Sequence, residues 1–231
     1  MNYAIVMTTW FPPGEAGGRR LGAANDALFS WFKHLDPAPE ALIVADDGSA
    51  DGLATAVATH VVRTPRLGTG GALNAGLHVA RGLGVDAVFY GADDWELLEP
   101  LDLAPSLAIL RHKANIGMVR LGPAHPGLEL TAMHAAPEHG GWYGEYSTRY
   151  GIVFAHRPAL HAMRMYDDIG IDYPERVSAL EAERWLCDRA AERGWGCVHA
   201  PNVTLSGPFR HIDTIELGEE SPAELDARYA Q

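Results

Sequence analysis

The apolar and polar positions of this chain fall into two regimes that meet near residue 113. In the first, short apolar runs without helical period alternate with stretches whose apolar residues recur every three or four positions. Residues 3–10 have the pattern of a buried strand, followed by the breaker-dense loop Phe11-Pro-Pro-Gly-Glu-Ala-Gly-Gly18. Residues 19–35 carry Leu21, Ala24, Leu28, Trp31, Phe32 and Leu35 at helical spacing, and Asp36-Pro37 ends that helix. Further strands are expected at 41–45, 60–63 and 87–91, and helices at 51–58, 68–81 and 101–113. Strand and helix in strict alternation predict an α/β fold with a mostly parallel sheet.

Beyond residue 113 the pattern predicts strands at 116–121, 128–133, 142–147 and 151–155, joined by loops rich in Gly, Pro and His. A helix is expected at 158–165 and a clearer one at 178–193, with Leu180, Trp185, Leu186 and Ala190 on one stripe and Gly194 as its stop. A last strand at 195–199 precedes a polar, acidic tail whose short final helix begins at Ser221-Pro222. No repeat or low-complexity linker divides the chain. The expected organisation is one domain over 1–231, with a nucleotide-binding half at 1–113 and an acceptor-shaping half and tail at 114–231.

Composition narrows the function classes. Hydrophobic residues make up 47% and charged residues 21%, the balance of a globular domain with a substantial core. The formal net charge of −12 argues against an extended nucleic-acid or anionic-membrane footprint, since both need a basic face. Cys187 and Cys197 are spaced for neither a zinc site nor a disulfide framework. Met1 leads straight into a strand, and no apolar run is long enough to span a bilayer, so a cytoplasmic location is expected.

Two acidic motifs carry the chemistry. Asp46-Asp47-Gly48-Ser49 follows one expected strand and Asp93-Asp94 another. Ligands of open α/β sheets bind at the carboxyl ends of strands, so the two motifs can face one crevice. Carboxylates there suit the donors of a ribose and base, and a hard cation bridging a diphosphate. Between them lies Arg66-Leu-Gly68-Thr-Gly70-Gly71-Ala-Leu-Asn74-Ala-Gly76, which is neither G-x-G-x-x-G nor a P-loop. Its glycines either let backbone amides approach a phosphate or ring, or serve helix packing. His134 and Glu138-His139 lack a third ligand at zinc spacing. Trp142, Tyr143, Tyr146 and Tyr150 are either core or a sugar-stacking platform.

The order of these segments resembles the family 2 glycosyltransferases, which have the GT-A fold. Asp46 to Asp51 is similar to their Asp-Asp-Gly-Ser-x-Asp signature, Ala72 to Gly76 to Ala-x-Asn-x-Gly, and Ala92-Asp93-Asp94 to the DXD region. A fourth motif, Glu-Asp-x-x-Leu-x-x-Arg-x-x-x-x-Gly, is matched from Ala182 to Gly194, with Ala182 in place of the Glu and Glu183 in place of the Asp. The resemblance covers roughly residues 3 to 205. It implies a GT-A nucleotide-diphospho-sugar transferase fold with a smaller mixed β region in the second half.

What the resemblance implies for the site is specific. Asp46 and Asp47 would hold the base and ribose, with Asp47 on the base, and Thr8 and Trp10 would lie beside the nucleobase. Arg66 joins them as a substrate-binding residue, and Asp93 as a ribose or supporting partner. Asp94 would hold Mn²⁺ or Mg²⁺ on the diphosphate, with His211, somewhat late after Pro201-Asn202, as a second contact. Glu183 would be the general base, with Glu181 as fallback. The implied activity is an inverting, metal-dependent transfer from a nucleoside-diphosphate sugar, UDP-sugar favoured, to a hydroxyl-bearing acceptor; a homodimer is left open. Two alternatives remain: a sugar-phosphate nucleotidyltransferase, and an inactive nucleotide-sugar-binding or scaffold protein, which the altered fourth motif supports.

Overall fold

The computed structural model describes residues 1–50, 54–122, 130–147, 154, 156–201, 203–204 and 207–212. In chain order the first elements are β1 (Tyr3–Thr9), α1 (Glu15–His34), β2 (Leu35–Asp36), β3 (Ala41–Asp46), β4 (His60–Arg63), α2 (Gly68–Gly82) and β5 (Ala87–Ala92). Then come β6 (Trp95–Leu97), β7 (Leu101–Asp102), α3 (Ala104–His112), β8 (Ile116–Arg120), β9 (Leu130–Ala135), β10 (Trp142–Tyr146) and β11 (Ala159–Ala162). The last are α4 (Met163–Ile169), α5 (Ala179–Glu192), β12 (Gly196–His199) and β13 (Phe209–His211).

Nine strands form one sheet in the order β4-β3-β1-β5-β11-β8-β12-β10-β9. β4, β3, β1 and β5 are parallel to one another, as are β8 and β12, while β11 and β10 run against both of their neighbours. β1 and β3 are apolar almost throughout because helices cover both sheet faces. Tyr3, Ile5 and Met7 alternate with Ala4 and Val6. The first three pack with Leu28 and Trp31 of α1 and Leu107 and Leu110 of α3. The other two pack with Leu73 and Leu77 of α2 and with Ala182, Leu186 and Ala190 of α5. The strand period of two thus builds two cores, one on each face.

Several expected boundaries move, each for a visible reason. α1 begins at Glu15, not at residue 19: Gly14 makes the turn at φ 83°, and Gly17 and Gly18 lie inside the helix. No helix forms over 54–58, and residues 51–53 lie outside the described ones. There the Ala56 N–H donates to the Asn25 side chain and the Thr59 N–H to the Leu42 carbonyl, so neither closes a helical turn. The helix expected at 101–113 starts only at Ala104, because Leu101 and Asp102 pair with β2 and Pro105 sits in the first turn, where its missing N–H is harmless. The helix expected at 158–165 is instead strand β11 followed by α4. The segment Ala-Leu-His-Ala is fully buried between β5 and β8, and sheet pairing overrides its local preference. The strand expected at 151–155, apart from Phe154, and the final helix at 221 lie outside the described residues.

Sheet topology locates the crevice. From β1 the chain crosses to β3 on one side, and from β4 it returns to β5 on the other. The strand order therefore reverses at β1 and β5, where open α/β sheets bind ligands. Thr8 pairs in register with both Ala45 and Ala92. Trp10, Asp47 and Asp94 therefore all lie two residues beyond one level of the sheet. Among the described residues, no helix is long and apolar enough to cross a membrane.

Candidate active site

A cavity of about 530 Å³ opens at that reversal, and eight of the nine residues expected at the site line it: Thr8, Trp10, Asp47, Arg66, Asp93, Asp94, Glu183 and His211. They come from six separate stretches of chain. The ninth, Asp46, is not among the lining residues. Its buried carboxylate accepts hydrogen bonds from the Ser49 N–H (3.0 Å) and hydroxyl, and from Arg63 Nε at 2.7 Å. The side chain holds the Asp-Gly turn and the adjacent strand.

Asp47 lines the cavity, yet its oxygens are engaged. Oδ1 accepts from the Thr64 hydroxyl and the Leu67 N–H, both at 2.6 Å, and Oδ2 from the Gly68 N–H at 2.8 Å. The carboxylate thus caps the start of α2 and fixes the turn that carries Arg66, whose backbone has φ 56°. The Arg66 guanidinium lies 3.8 Å from the centre of the Trp10 ring, a cation–π stack that makes a shelf at the mouth of β1. The neighbouring Thr8 hydroxyl pairs with Tyr90 Oη at 3.1 Å.

The glycine-rich stretch is a packing device. A Cβ on Gly70 would lie 2.1 Å from the Pro174 carbonyl oxygen, and one on Gly71 would lie 2.2 Å from Leu67 Cβ. The Asn74 side-chain amide exchanges two hydrogen bonds with the Tyr173 backbone, accepting from its N–H at 2.8 Å and donating to its carbonyl at 2.9 Å. The motif therefore docks α2 against the loop before α5, and the Gly68 N–H is already given to Asp47.

Asp93 is buried and held by both arms of Arg20, Nε to Oδ2 at 3.0 Å and Nη2 to Oδ1 at 3.1 Å. Burial raises its pKa above the usual carboxylate range, against the opposing pull of Arg20. Sequence reasoning did not single out Arg20. It fell in the first turn of the helix expected at 19–35, where an arginine reads as a solvated helix position.

Asp94 differs. Oδ1 is buried and accepts no hydrogen bond from the described residues, and Oδ2 lies 3.0 Å from His211 Nε2. β13 pairs antiparallel with β6, setting His211 opposite Trp95, and the Ile212 N–H donates to the Asp94 carbonyl at 2.7 Å. No group of three or more His, Cys, Asp or Glu side chains among the described residues could hold a metal by itself. An open carboxylate oxygen beside an imidazole is the donor set of a cation that takes its remaining ligands from phosphate and water, so these residues fit Mn²⁺ or Mg²⁺.

Glu183 reaches the cavity from α5. Ala182, Leu186 and Ala190 form the buried stripe of that helix, and Glu183, one position on, turns toward the pocket. Its Oε1 accepts the His156 N–H at 2.6 Å. Glu181 is spent on a capping box with Ser178: its side chain accepts from the Ser178 N–H and hydroxyl, both at 2.9 Å, which lowers its pKa. The fallback base is a helix cap. His156 and Arg157, which sequence reasoning also missed, complete this wall. Burial pushes the His156 pKa down to about 3, so its ring is neutral. Of the aromatic group, Trp142 is exposed and Tyr143 and Tyr146 are buried; none of the three lines the cavity, and Tyr150 lies outside the described residues.

An α/β sheet with this strand order, and acidic pairs at the ends of β3 and β5, has the GT-A fold. No family model and no curated protein sequence matches the chain. Solved structures do. The crystal structure of S. aureus TarS 1–349 matches at a TM-score of 0.60 and 14% identity, covering 87% of this chain and 58% of that one. In complex with UDP-GlcNAc, the same protein matches at 0.60 and 13%, covering 100% and 66%. Glucosyl-3-phosphoglycerate synthase from M. tuberculosis, in complex with Mn²⁺, UDP-glucose and glycerol 3-phosphate, matches at 0.55 and 15%, covering 100% and 76%. The chain spans 58% of the length of the first of these. At such identities the likeness is one of fold.

Proposed function

We propose that the protein is an inverting, divalent-metal-dependent glycosyltransferase. It moves a sugar from a nucleoside-diphosphate sugar, UDP-sugar favoured, to an acceptor hydroxyl. The observation that carries this reading is the convergence on one cavity of the Trp10–Arg66 shelf, the Asp94–His211 pair and Glu183. Structures of the same fold, in complex with UDP-GlcNAc or with Mn²⁺ and UDP-glucose, support it.

The nucleobase lies against the Trp10–Arg66 shelf, whose position Asp47 sets through the turn it caps. Asp94 and His211 would hold the cation, which when bound neutralises charge on the departing diphosphate. Glu183 accepts the proton of the acceptor hydroxyl. The acceptor oxygen then bonds to the anomeric carbon from the face opposite the diphosphate, and the bond from that carbon to the diphosphate oxygen breaks. The transition state has oxocarbenium character, as in other glycosyl chemistry.

The nucleotidyltransferase alternative is disfavoured by α1. Gly17 and Gly18, which it would need in a phosphate-wrapping loop, lie within a helix. The inactive-protein alternative loses its main support once Ala182 is seen to be a core residue and Glu183 the one at the cavity. The test is a thermal-shift screen of nucleotide sugars with Mn²⁺, followed by donor turnover with the best binder. Ligands of the folded state raise its melting temperature. Stabilisation by one nucleotide sugar, together with metal-dependent turnover, is expected. Binding without turnover would return the inactive protein.

A further inference from the structure

The cavity wall formed by His156 and Arg157 is assigned no part in the transfer above. Both side chains are polar, and among the described residues neither makes a side-chain hydrogen bond or ion pair. Both ring nitrogens of His156 are buried without a partner, although the residue is only 8% exposed and lines the cavity. The other arginines of the cavity are engaged: Arg20 on Asp93, Arg66 on Trp10 and Asp47. Arg157 is half-buried. Burial and the nearby Arg120 oppose its charge, while Glu183 favours it. A guanidinium in that position is two-armed and shaped for the paired oxygens of a phosphate or carboxylate.

Position across the sheet says which ligand these groups meet. The Trp10–Arg66 shelf lies at the end of β1, Asp94 just past the end of β5, and β11 is the next strand on the far side. β11 runs antiparallel to β5 with Ala159 opposite Tyr90, so the residues before it run toward Ala92 and Asp93. His156 and Arg157 therefore stand on the side of the diphosphate position away from the nucleobase. The His156 backbone also holds Glu183.

We propose that His156 and Arg157 form an anion subsite for the acceptor, and that the acceptor is an anionic hydroxy compound carrying a phosphate or carboxylate near the hydroxyl it offers to Glu183. This assignment rests on the glycosyltransferase reading for its role, though not for the existence of the subsite. Arg157 takes two oxygens of the anion, and one nitrogen of the neutral His156 ring donates to it.

The test uses the parent protein, Arg157→Gln, Arg157→Lys and His156→Phe, each checked for a native melting transition. UDP with Mg²⁺ is titrated calorimetrically first. Inorganic phosphate, acetate and uncharged glycerol are then titrated into the loaded protein. The expected result is anion binding to the parent and none of glycerol. Affinity should fall about tenfold or more in Arg157→Gln and by a smaller factor in His156→Phe, recovering in part in Arg157→Lys, with UDP affinity unchanged in all. Equal anion binding in parent and Arg157→Gln, or no anion binding to the parent, overturns the subsite. So does a tenfold fall in UDP affinity in Arg157→Gln, which would put the guanidinium on the donor. If UDP fails to bind the parent, the proposed function fails instead, and the same anion comparison is made on the free protein.

Discussion

Asp94 Oδ2 and His211 Nε2 lie 3.0 Å apart across 117 positions of sequence, brought together by the short β6–β13 pair. With Asp94 Oδ1 left open, this pair should make nucleoside-diphosphate binding depend on a divalent cation. Asp94→Asn keeps size and removes charge. UDP affinity in Mn²⁺ should fall about 10–100-fold, the worth of a charged contact, and His211→Ala should cost less. Calorimetry with and without metal checks this; equal metal-dependent affinity in Asp94→Asn and parent would remove Asp94 from the cation.

Glu183 and Glu181, two residues apart on α5, should separate chemistry from stability. Glu183→Gln keeps an oxygen to accept the His156 N–H but takes no proton, so the transfer rate should drop about 10²–10⁴-fold with nucleotide-sugar affinity retained. Glu181→Ala removes one arm of the capping box, which should lower the melting temperature slightly with kcat unchanged. Rates and melting curves of both variants check the pair. A Glu183→Gln enzyme with more than about a tenth of parental kcat would place the base elsewhere.

Removing Arg20 should be among the costliest single changes to this site. Arg20→Ala leaves the buried Asp93 carboxylate without its two-armed partner, a loss of about 3–5 kcal/mol. Part of that penalty should be relieved in Arg20→Ala/Asp93→Ala, where no uncompensated charge remains. Denaturant unfolding of both single variants and the double variant measures the coupling.

Acid stability follows from His156. Its pKa is 6.5 when unfolded and about 3 when buried. Below pH 6.5 the unfolded ring takes up a proton that the folded ring refuses, so the unfolded state binds more protons and stability falls as pH drops toward 3. The slope is about 1.4 kcal/mol per pH unit for this one group. His161, buried to the same effect, adds to it, and the raised pKa of Asp93 acts in the opposite sense. The measurement is therefore a difference: between pH 6.5 and 4.5, His156→Phe should lose less stability than the parent. Parallel curves would mean that the ring is protonated in the folded state.

Much of this was legible along the chain, because local period and local chemistry carry it. The strand at His60–Arg63 has its expected bounds, and those of β1, β3, β5 and α2 differ from expectation by a residue at most; β1, β3 and β5, buried on both faces, are short apolar runs in any context. The acidic pairs after strands located the crevice for the same reason: a parallel sheet puts its carboxyl ends at one edge. The side-chain assignments within the Asp-Asp pairs were not legible. Asp46 and Asp47 are adjacent and chemically identical, yet the first holds a turn and the second caps a helix, a difference set by Arg63, Thr64 and the Leu67 and Gly68 amides. β11 was hidden because its segment becomes a strand only when β5 and β8 stand on either side of it. The Arg20–Asp93 pair, the Asp94–His211 pair and the His156–Arg157 wall join residues far apart in the chain or depend on neighbours that are. The sequence alone determined the types of β1, β3, β4, β5, α1, α2 and α5 and the places where chemistry collects, because those depend on each segment's own pattern. Which carboxylate is free and which is occupied was decided by tertiary structure alone, because a hydrogen bond is spent on whatever the fold brings within about 3 Å.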